Sequence, residues 1–159
     1  MRKVAVKYAR ILPLVLLLCA CRANSTAPAK PAGFEILAQG YQSGEHSAGV
    51  ELITNAEEWH AFWLRHSNWR IPAAPEPAVD FAQHSEIVVR AGDQPTAGYV
   101  LSTRSVSREG ERTLVDALLD LPPSDAVVPQ LVTQPYQILL VPRTSGSITV
   151  KLDQRRNKR

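Results

Sequence analysis

Short apolar runs separated by turn-forming residues make up most of the chain after residue 33. The alternation is clearest from Thr113 to Leu121, where Val115, Ala117 and Leu119 point to one side and Asp116 to the other. One apolar and one polar face are typical of an antiparallel strand that is solvated on one side. This segment therefore predicts a strand at the edge of a hydrophobic core.

Six further segments have the length and the β-branched composition of strands. They are Phe34–Gln39, Val50–Thr54, Glu86–Ala91, Tyr99–Val106, Tyr136–Val141 and Ile148–Leu152. The third and fifth of these are apolar with little interruption, which predicts buried strands. Arg108-Glu109-Gly110 predicts a hairpin turn before the strand at Thr113.

One segment has helical periodicity. Thr54 or Asn55 is a suitable N-cap, and glutamates follow within the first turn. The residues at positions i, i+3, i+4 and i+7 form a single apolar stripe: Trp59, Phe62, Trp63 and His66. We expect this stripe to pack on the rest of the domain, with a ligand-stacking surface as the alternative.

Seven strands and one helix predict a mainly β fold, with α+β as an alternative class. The expected architecture is a small antiparallel β-sandwich or partly open barrel, with the amphipathic helix packed on it. Residues 34–152 would form this single domain. Prolines make Ile71–Pro77 and Pro122–Pro129 loops.

The N-terminus has the layout of a secretory signal peptide over residues 1–20. Basic residues precede an apolar run from Ile11 to Leu18, and a small residue, Ala20, stands before a cysteine. The run is far shorter than the roughly 20 residues that a transmembrane helix needs. The alternative to a lipoprotein signal is an ordinary cleaved signal.

Leu18-Cys19-Ala20-Cys21 resembles the lipobox of bacterial lipoproteins. The resemblance implies a lipid on Cys21 and membrane attachment in the bacterial cell envelope. Arg22, in the position where aspartate would retain a lipoprotein, implies the outer membrane, facing the periplasm. The small, polar and proline-containing residues that follow make residues 21–33 a lipidated flexible tether.

The basic charge of the chain lies mainly at its two ends. Loss of residues 1–20 removes four basic residues and changes the net charge from +3 to −1. Residues 153–159 form a predicted basic tail, which would be solvated or would contact anionic headgroups. The body is mildly acidic, so we expect no nucleic-acid partner.

No pattern of catalytic or metal-ligating residues stands out. Cys19 leaves with the signal and Cys21 would be lipidated, so no thiol remains for a disulfide or a metal site. The histidines have no metal-ligand spacing, and the sequence predicts no catalytic residue, no metal and no cofactor. A hydrolase site assembled from His84, Asp80 and a serine is the weakest alternative.

A loop between two predicted strands is the candidate recognition site. Its residues are Gln94, Pro95, Thr96, Ala97, Gly98 and Tyr99. Proline presets φ and glycine permits positive φ, which makes a rigid loop that ends on an aromatic residue. Binding residues concentrate on such loops, although a purely structural turn remains the alternative. Pro135 and Tyr136 are the candidate neighbouring contacts.

Three motifs resemble the C-terminal domain of the protease complex subunit PrcB family. They are Val79-Asp80-Phe81, Gln94-Pro95-Thr96-Ala97-Gly98-Tyr99 and Thr133-Gln134-Pro135-Tyr136. The chain departs from the family pattern at Ala97, where glycine is usual. The resemblance implies a non-catalytic accessory lipoprotein with a protein partner, an extracytoplasmic protease.

The loop at Pro95–Tyr99 also resembles, more weakly, a loop of chagasin-type cysteine-protease inhibitors. That resemblance implies a module that inserts loops into a protease cleft, with Pro122–Pro129 as the second loop. The sequence therefore predicts a lipid-anchored binding or assembly module. An inhibitor module and a structural spacer are the alternatives.

Overall fold

A computed structural model describes residues 29–156, so the predicted signal, Cys21 and the last three residues of the predicted tail lie outside the described part of the chain. Within the described residues, no helix is long and apolar enough to cross a membrane. Residues 29–156 form eight strands and one α-helix. In chain order these are β1 (Lys30–Ala32), β2 (Glu35–Gly40), β3 (Ala48–Ile53), α1 (Ala56–Ser67), β4 (His84–Ala91), β5 (Val100–Glu109), β6 (Arg112–Leu121), β7 (Tyr136–Pro142) and β8 (Ser147–Arg156).

The strands form two four-stranded sheets, which confirms the predicted mainly β class. The first sheet has the order β1-β5-β6-β8 and the second has the order β2-β7-β4-β3. The sheets pack face to face over a core to which β4, β5, β6 and β7 all contribute. Val115, Ala117 and Leu119 point into this core, as their alternation predicts.

A second core lies between the outer face of the second sheet and α1. Trp59, Phe62 and Trp63 pack there on Val88 and Ile138. The second sheet is therefore covered on both faces, which explains the near-continuous apolar runs of β4 and β7. The prediction that the helical stripe is a core face is confirmed.

The start of α1 follows the predicted cap. The side chain of Asn55 accepts a hydrogen bond from the Glu58 N–H at 2.9 Å. Glu58 in turn accepts from the Thr54 N–H at 3.0 Å. These contacts use backbone donors that the first turn of a helix leaves free, and the acidic side chains suit the helix dipole.

The sheets are antiparallel as predicted except for one pair, because β6 and β8 are parallel. The strand between them, β7, belongs to the other sheet. The chain reverses direction twice between β6 and β8 and returns to the first sheet in its original direction. The alternation of apolar and polar residues within a strand does not show which of the two sheets the next strand joins.

Both predicted boundaries of the domain differ from the strands observed. Residues 30–32, in the predicted tether, form β1 and pair with β5; Pro31 is tolerated because β1 is an edge strand. At the other end, β8 continues to Arg156, beyond the predicted boundary at 152. Arg155 Nε donates to Asp120 Oδ1 at 2.7 Å, so this residue is held to β6.

Candidate protein-interaction site

Three connecting segments contact one another at one end of the sandwich. We name them loop A (residues 41–47, between β2 and β3), loop B (residues 92–99, between β4 and β5) and loop C (residues 122–135, between β6 and β7). Loop B contains the predicted recognition residues. Loop C includes the predicted loop at Pro122–Pro129.

Loop B is paired along its length with loop C. The Gln94 N–H donates to the Thr133 carbonyl oxygen at 2.7 Å, and the Thr133 N–H returns a bond to Gln94 at 3.0 Å. The Thr133 hydroxyl donates to the Thr96 carbonyl oxygen, and the Ala97 N–H donates to Pro129, both at 3.0 Å. These hydrogen bonds hold loop B against loop C, although neither loop forms a regular strand there.

Asp93 joins all three loops. Its carboxylate accepts from Gln134 Nε2 at 2.8 Å and lies 2.9 Å from His46 Nδ1. The hydrogen bond from Gln134, and then that with His46, hold the pKa of Asp93 below its ordinary value. The backbone reinforces this junction, because the Gln134 N–H donates to the Tyr41 carbonyl oxygen at 2.8 Å.

Loop A is fastened to the C-terminal end of α1. The Gly44 N–H donates to the His66 carbonyl oxygen at 2.9 Å, and Ser43 Oγ lies 2.9 Å from His66 Nδ1. A Cβ atom on residue 44 would overlap the carbonyl oxygen of Arg65, so only glycine permits this approach. Arg65 Nε also donates to Glu45 at 2.8 Å.

The Ser43–His66 pair is structural rather than catalytic. Both side chains are buried, and His66 packs against Phe62, Trp63 and Tyr136. Burial lowers the pKa of His66 to about 4, so the ring is neutral at physiological pH. Ser43 is 3 % exposed, and its contact with His66 holds loop A on the helix.

The predicted recognition residues differ in whether their side chains face solvent or the protein. Pro95 and Gly98 are exposed, whereas Gln94 turns its side-chain amide inward to the Ala91 carbonyl oxygen at 3.0 Å. The Thr96 hydroxyl donates to its neighbour's carbonyl oxygen at 3.0 Å. Gly98 has a φ of 92°, while Ala97 does not adopt positive φ, so alanine fits its position.

The candidate neighbouring contacts also differ from each other. Pro135 is buried, and its carbonyl oxygen accepts a bond from the Ala91 N–H at 2.9 Å. Tyr136 is half-buried, and its ring meets that of His66 edge to face at 4.4 Å between centroids. Tyr136 therefore reaches the surface beside loop A, whereas Pro135 is buried and bonds to the end of β4.

Two adjoining open grooves surround Tyr136. The first, of about 290 Å³, lies between the end of β2 and the start of β5, and Tyr99 and Val100 form part of its wall. The second, of about 330 Å³, extends from Tyr41 to Trp69. Tyr41 and Tyr136 line both grooves.

Exposed apolar side chains are concentrated around these grooves and loops. Tyr41 is 64 % exposed and Val100 is 57 % exposed. Others at this end of the molecule are Trp69, Val127, Leu131 and Val132. Sequence reasoning missed Tyr41, Trp69 and Val100; the only local signal was an aromatic or apolar residue beside a predicted turn. This concentration makes the end of the sandwich that carries loops A, B and C the candidate interaction surface.

Asp80 and the nearby Ser85 make local structural hydrogen bonds, and His84 lines a groove away from loops A, B and C. Asp80 Oδ1 accepts from the Ala82 N–H at 2.9 Å and closes a local turn. The Ser85 hydroxyl is buried and donates to the Thr144 carbonyl oxygen at 3.1 Å. His84 lines a separate groove with Phe34. Nor does any set of three potential metal ligands cluster within residues 29–156.

The part of the chain that carries loops B and C matches a known family model. Residues 86–142 match the model described as PrcB C-terminal. This part of the chain resembles a PrcB C-terminal domain. The match runs from β4 to β7 and confirms the resemblance read from the motifs in loop B and at Thr133–Tyr136. No curated protein and no solved structure matches the chain.

The family points to a general role. The PrcB C-terminal family model suggests a subunit family associated with a protease complex. In this chain, the PrcB-like segment supplies loops B and C, while loop A and α1 come from the residues before it. The candidate interaction surface is thus formed jointly by the matched segment and the residues before it.

Proposed function

We propose that the protein is a lipid-anchored, non-catalytic subunit that binds another protein of the cell envelope, an extracytoplasmic protease. The concentration of exposed apolar side chains around loops A, B and C carries this proposal. Large exposed apolar patches on small domains serve protein contacts. The PrcB-like segment supports the choice of a protease complex as the partner.

The rigidity of the surface also favours binding. Loops A, B and C are joined through Asp93 and Thr133, so their apolar side chains are held in place before a partner arrives. Preorganisation reduces the entropy that is lost on association. A structural spacer would have no need for three interlocked loops with apolar tips.

Photo-crosslinking in intact cells tests the partner. A crosslinking amino acid is placed at Tyr41 or Val132, and the control position is Ile36, which is similarly exposed on β2 away from the loops. We expect the first two positions, and not the third, to yield an adduct that contains a secreted protease or its complex subunit. Identical adducts from all three positions, or none from any, would contradict the proposal.

The anchor is a separate part of the proposal. It places a lipid on Cys21 and the domain at the outer membrane, facing the periplasm. A second acyl chain makes membrane attachment stable where a single chain does not. The lipobox-like ending Leu18-Cys19-Ala20-Cys21 supports this placement.

Substitution of Cys21 tests the anchor. We expect Cys21→Ser to abolish incorporation of radiolabelled fatty acid and to move the protein from the membrane fraction to the soluble fraction. Cys19→Ser is the matched control and should leave both properties unchanged. Fatty-acid labelling that persists in Cys21→Ser would exclude this residue as the acceptor.

A further inference from the structure

We propose that the seam between β2 and β5 binds a short, extended, uncharged segment of the partner protein, which pairs as an added strand with the free edge of β5. This inference rests on the proposed function in assuming a protein partner. It adds the site of contact, the backbone groups that recognise the segment and the chemistry of its side chains.

The edge of β5 is covered along only part of its length. The short strand β1 pairs with Val106, Ser107 and Arg108. Val100–Ser105 pairs with β6 on one side and has no strand partner on the other. A bulge between Thr103 and Ser105 lies close to the boundary between the uncovered and covered parts of the strand.

The direction of the free backbone groups follows from Thr103. Its N–H points away from β6 and donates to Gln137 Oε1 at 2.6 Å. Backbone groups of residues two apart in a strand point the same way. The N–H and C=O of Leu101 therefore also point into the seam; Leu101 is 5 % exposed and lines the groove at this point.

Glutamine side chains close the middle of the seam. Gln137 receives the bond from Thr103 and donates through Nε2 to Gln39 Oε1 on β2 at 2.9 Å. β2 is itself an edge strand of the second sheet. The seam is thus bridged at Gln137 and open from Leu101 toward the loops, a span that admits about three residues at roughly 3.3 Å each.

The floor of the open part depends on a glycine. A Cβ atom on Gly40 would lie 2.9 Å from Cε1 of Tyr136, so glycine permits the tyrosine ring to lie against β2. Tyr41, Tyr99 and Val100 complete the walls around the ring. Aromatic walls beside a free strand edge suit a segment with apolar or aromatic side chains.

The lining of the grooves also excludes charge. Neither groove is lined by an acidic, a basic or a histidine side chain. A charged side chain that entered would lose water without gaining a counter-ion, which is costly. The chemistry thus selects an uncharged segment, recognised through its backbone at Leu101 and through its side chains at the tyrosines.

Peptide selection provides the test. A phage library of random ten-residue peptides is panned on the purified full-length chain, and the enriched peptides are synthesised. We expect them to share an uncharged run of about three residues. N-methylation of the single backbone nitrogen that pairs with Leu101 should weaken binding at least tenfold, and N-methylation of the adjacent nitrogen, which points away, should not.

Matched substitutions locate the binding site. Val100→Glu puts a carboxylate at the groove and should weaken peptide binding at least tenfold. Leu64→Glu introduces the same carboxylate at an equally exposed position on α1, outside the loops and grooves, and should have no effect. Equal thermal unfolding of both variants and the wild type shows that the fold is intact.

Three results would overturn this inference: no enriched peptide, equal binding by Val100→Glu, or indifference to both N-methyl groups. They are distinguishable from failure of the proposed function. If the protease adduct from Tyr41 or Val132 persists undiminished in Val100→Glu, the proposed function stands and the seam is not the contact. If no such adduct forms in the wild type, the proposed function itself fails.

Discussion

Replacement of Phe62 by alanine should lower the free energy of unfolding by about 3–5 kcal/mol. Phe62 is fully buried between α1 and the second sheet, and its ring stacks on Trp59 and His66 at centroid distances of 5.7 and 5.3 Å. Removing the ring leaves a cavity that the surrounding rings can fill only in part. Urea denaturation monitored by tryptophan fluorescence measures the change.

The same helix supplies the control. Leu64 is 57 % exposed on the opposite face of α1, and Leu64→Ala should change the free energy of unfolding by no more than about 0.5 kcal/mol. Equal effects of the two substitutions would mean that α1 does not pack through the face described. Because loop A is held by His66, Phe62→Ala should also loosen the interaction surface around Tyr41.

The free energy of unfolding should fall by about 2 kcal/mol between pH 6.5 and pH 8. The cause is Glu86, which is fully buried on β4 with both carboxyl oxygens lacking a hydrogen-bond partner. Burial, and then the negative charge of Glu76, raise the pKa of Glu86 from 4.5 to about 8. The folded protein therefore retains a proton that the unfolded chain has released.

The titration of the buried His66 explains why the fall in the free energy of unfolding is measured from pH 6.5 upward. The folded-state pKa of Glu86 is raised, so its contribution to stability is complete below pH 4.5 and declines as the pH rises toward 8. The pKa of His66 is lowered from 6.5 to about 4, so its contribution is complete above pH 6.5 and declines as the pH falls. Between pH 4.5 and 6.5 the two slopes oppose each other, and above 6.5 only that of Glu86 remains.

Urea denaturation at a series of pH values tests this assignment. Glu86→Gln keeps the shape of the side chain without its titration, so the decline between pH 6.5 and 8 should disappear. Glu57→Gln, at an exposed position in the first turn of α1, is the matched control and should keep the decline. A wild-type protein equally stable at both pH values would contradict the raised pKa of Glu86.

Local sequence patterns predicted those elements in which the polarity of each residue reflects its own burial. The alternation of β6 and the stripe of α1 each reflect one buried face, and Asn55 marks the helix start through its own side-chain chemistry. The parallel pairing of β8 was not predictable, because it depends on which sheet β7 joins. β1 was missed because Pro31 and its small neighbours have the composition of a linker.

Local sequence patterns likewise predicted only part of the candidate site. The rigidity of loop B followed from its proline and glycine, whereas its partners in loops A and C lie far along the chain and meet it only in the folded molecule. Gln137 gave no signal at all, since it stands inside an apolar strand, yet its side chain joins β5 to β2. Glu86 likewise resembled an ordinary polar residue at the start of a strand.

The short strand β1 fixes where the chain enters the domain. Lys30 pairs with Arg108, near the end of β5 that joins the β5–β6 turn, whereas the interaction loops meet the other end of β5 at Val100. The eight residue steps between them span roughly 26 Å. If the proposed lipid on Cys21 anchors the chain, the polypeptide enters the domain at the end opposite the interaction loops. The length of β5 would then set the distance between the attachment end of the domain and the loops that contact a partner.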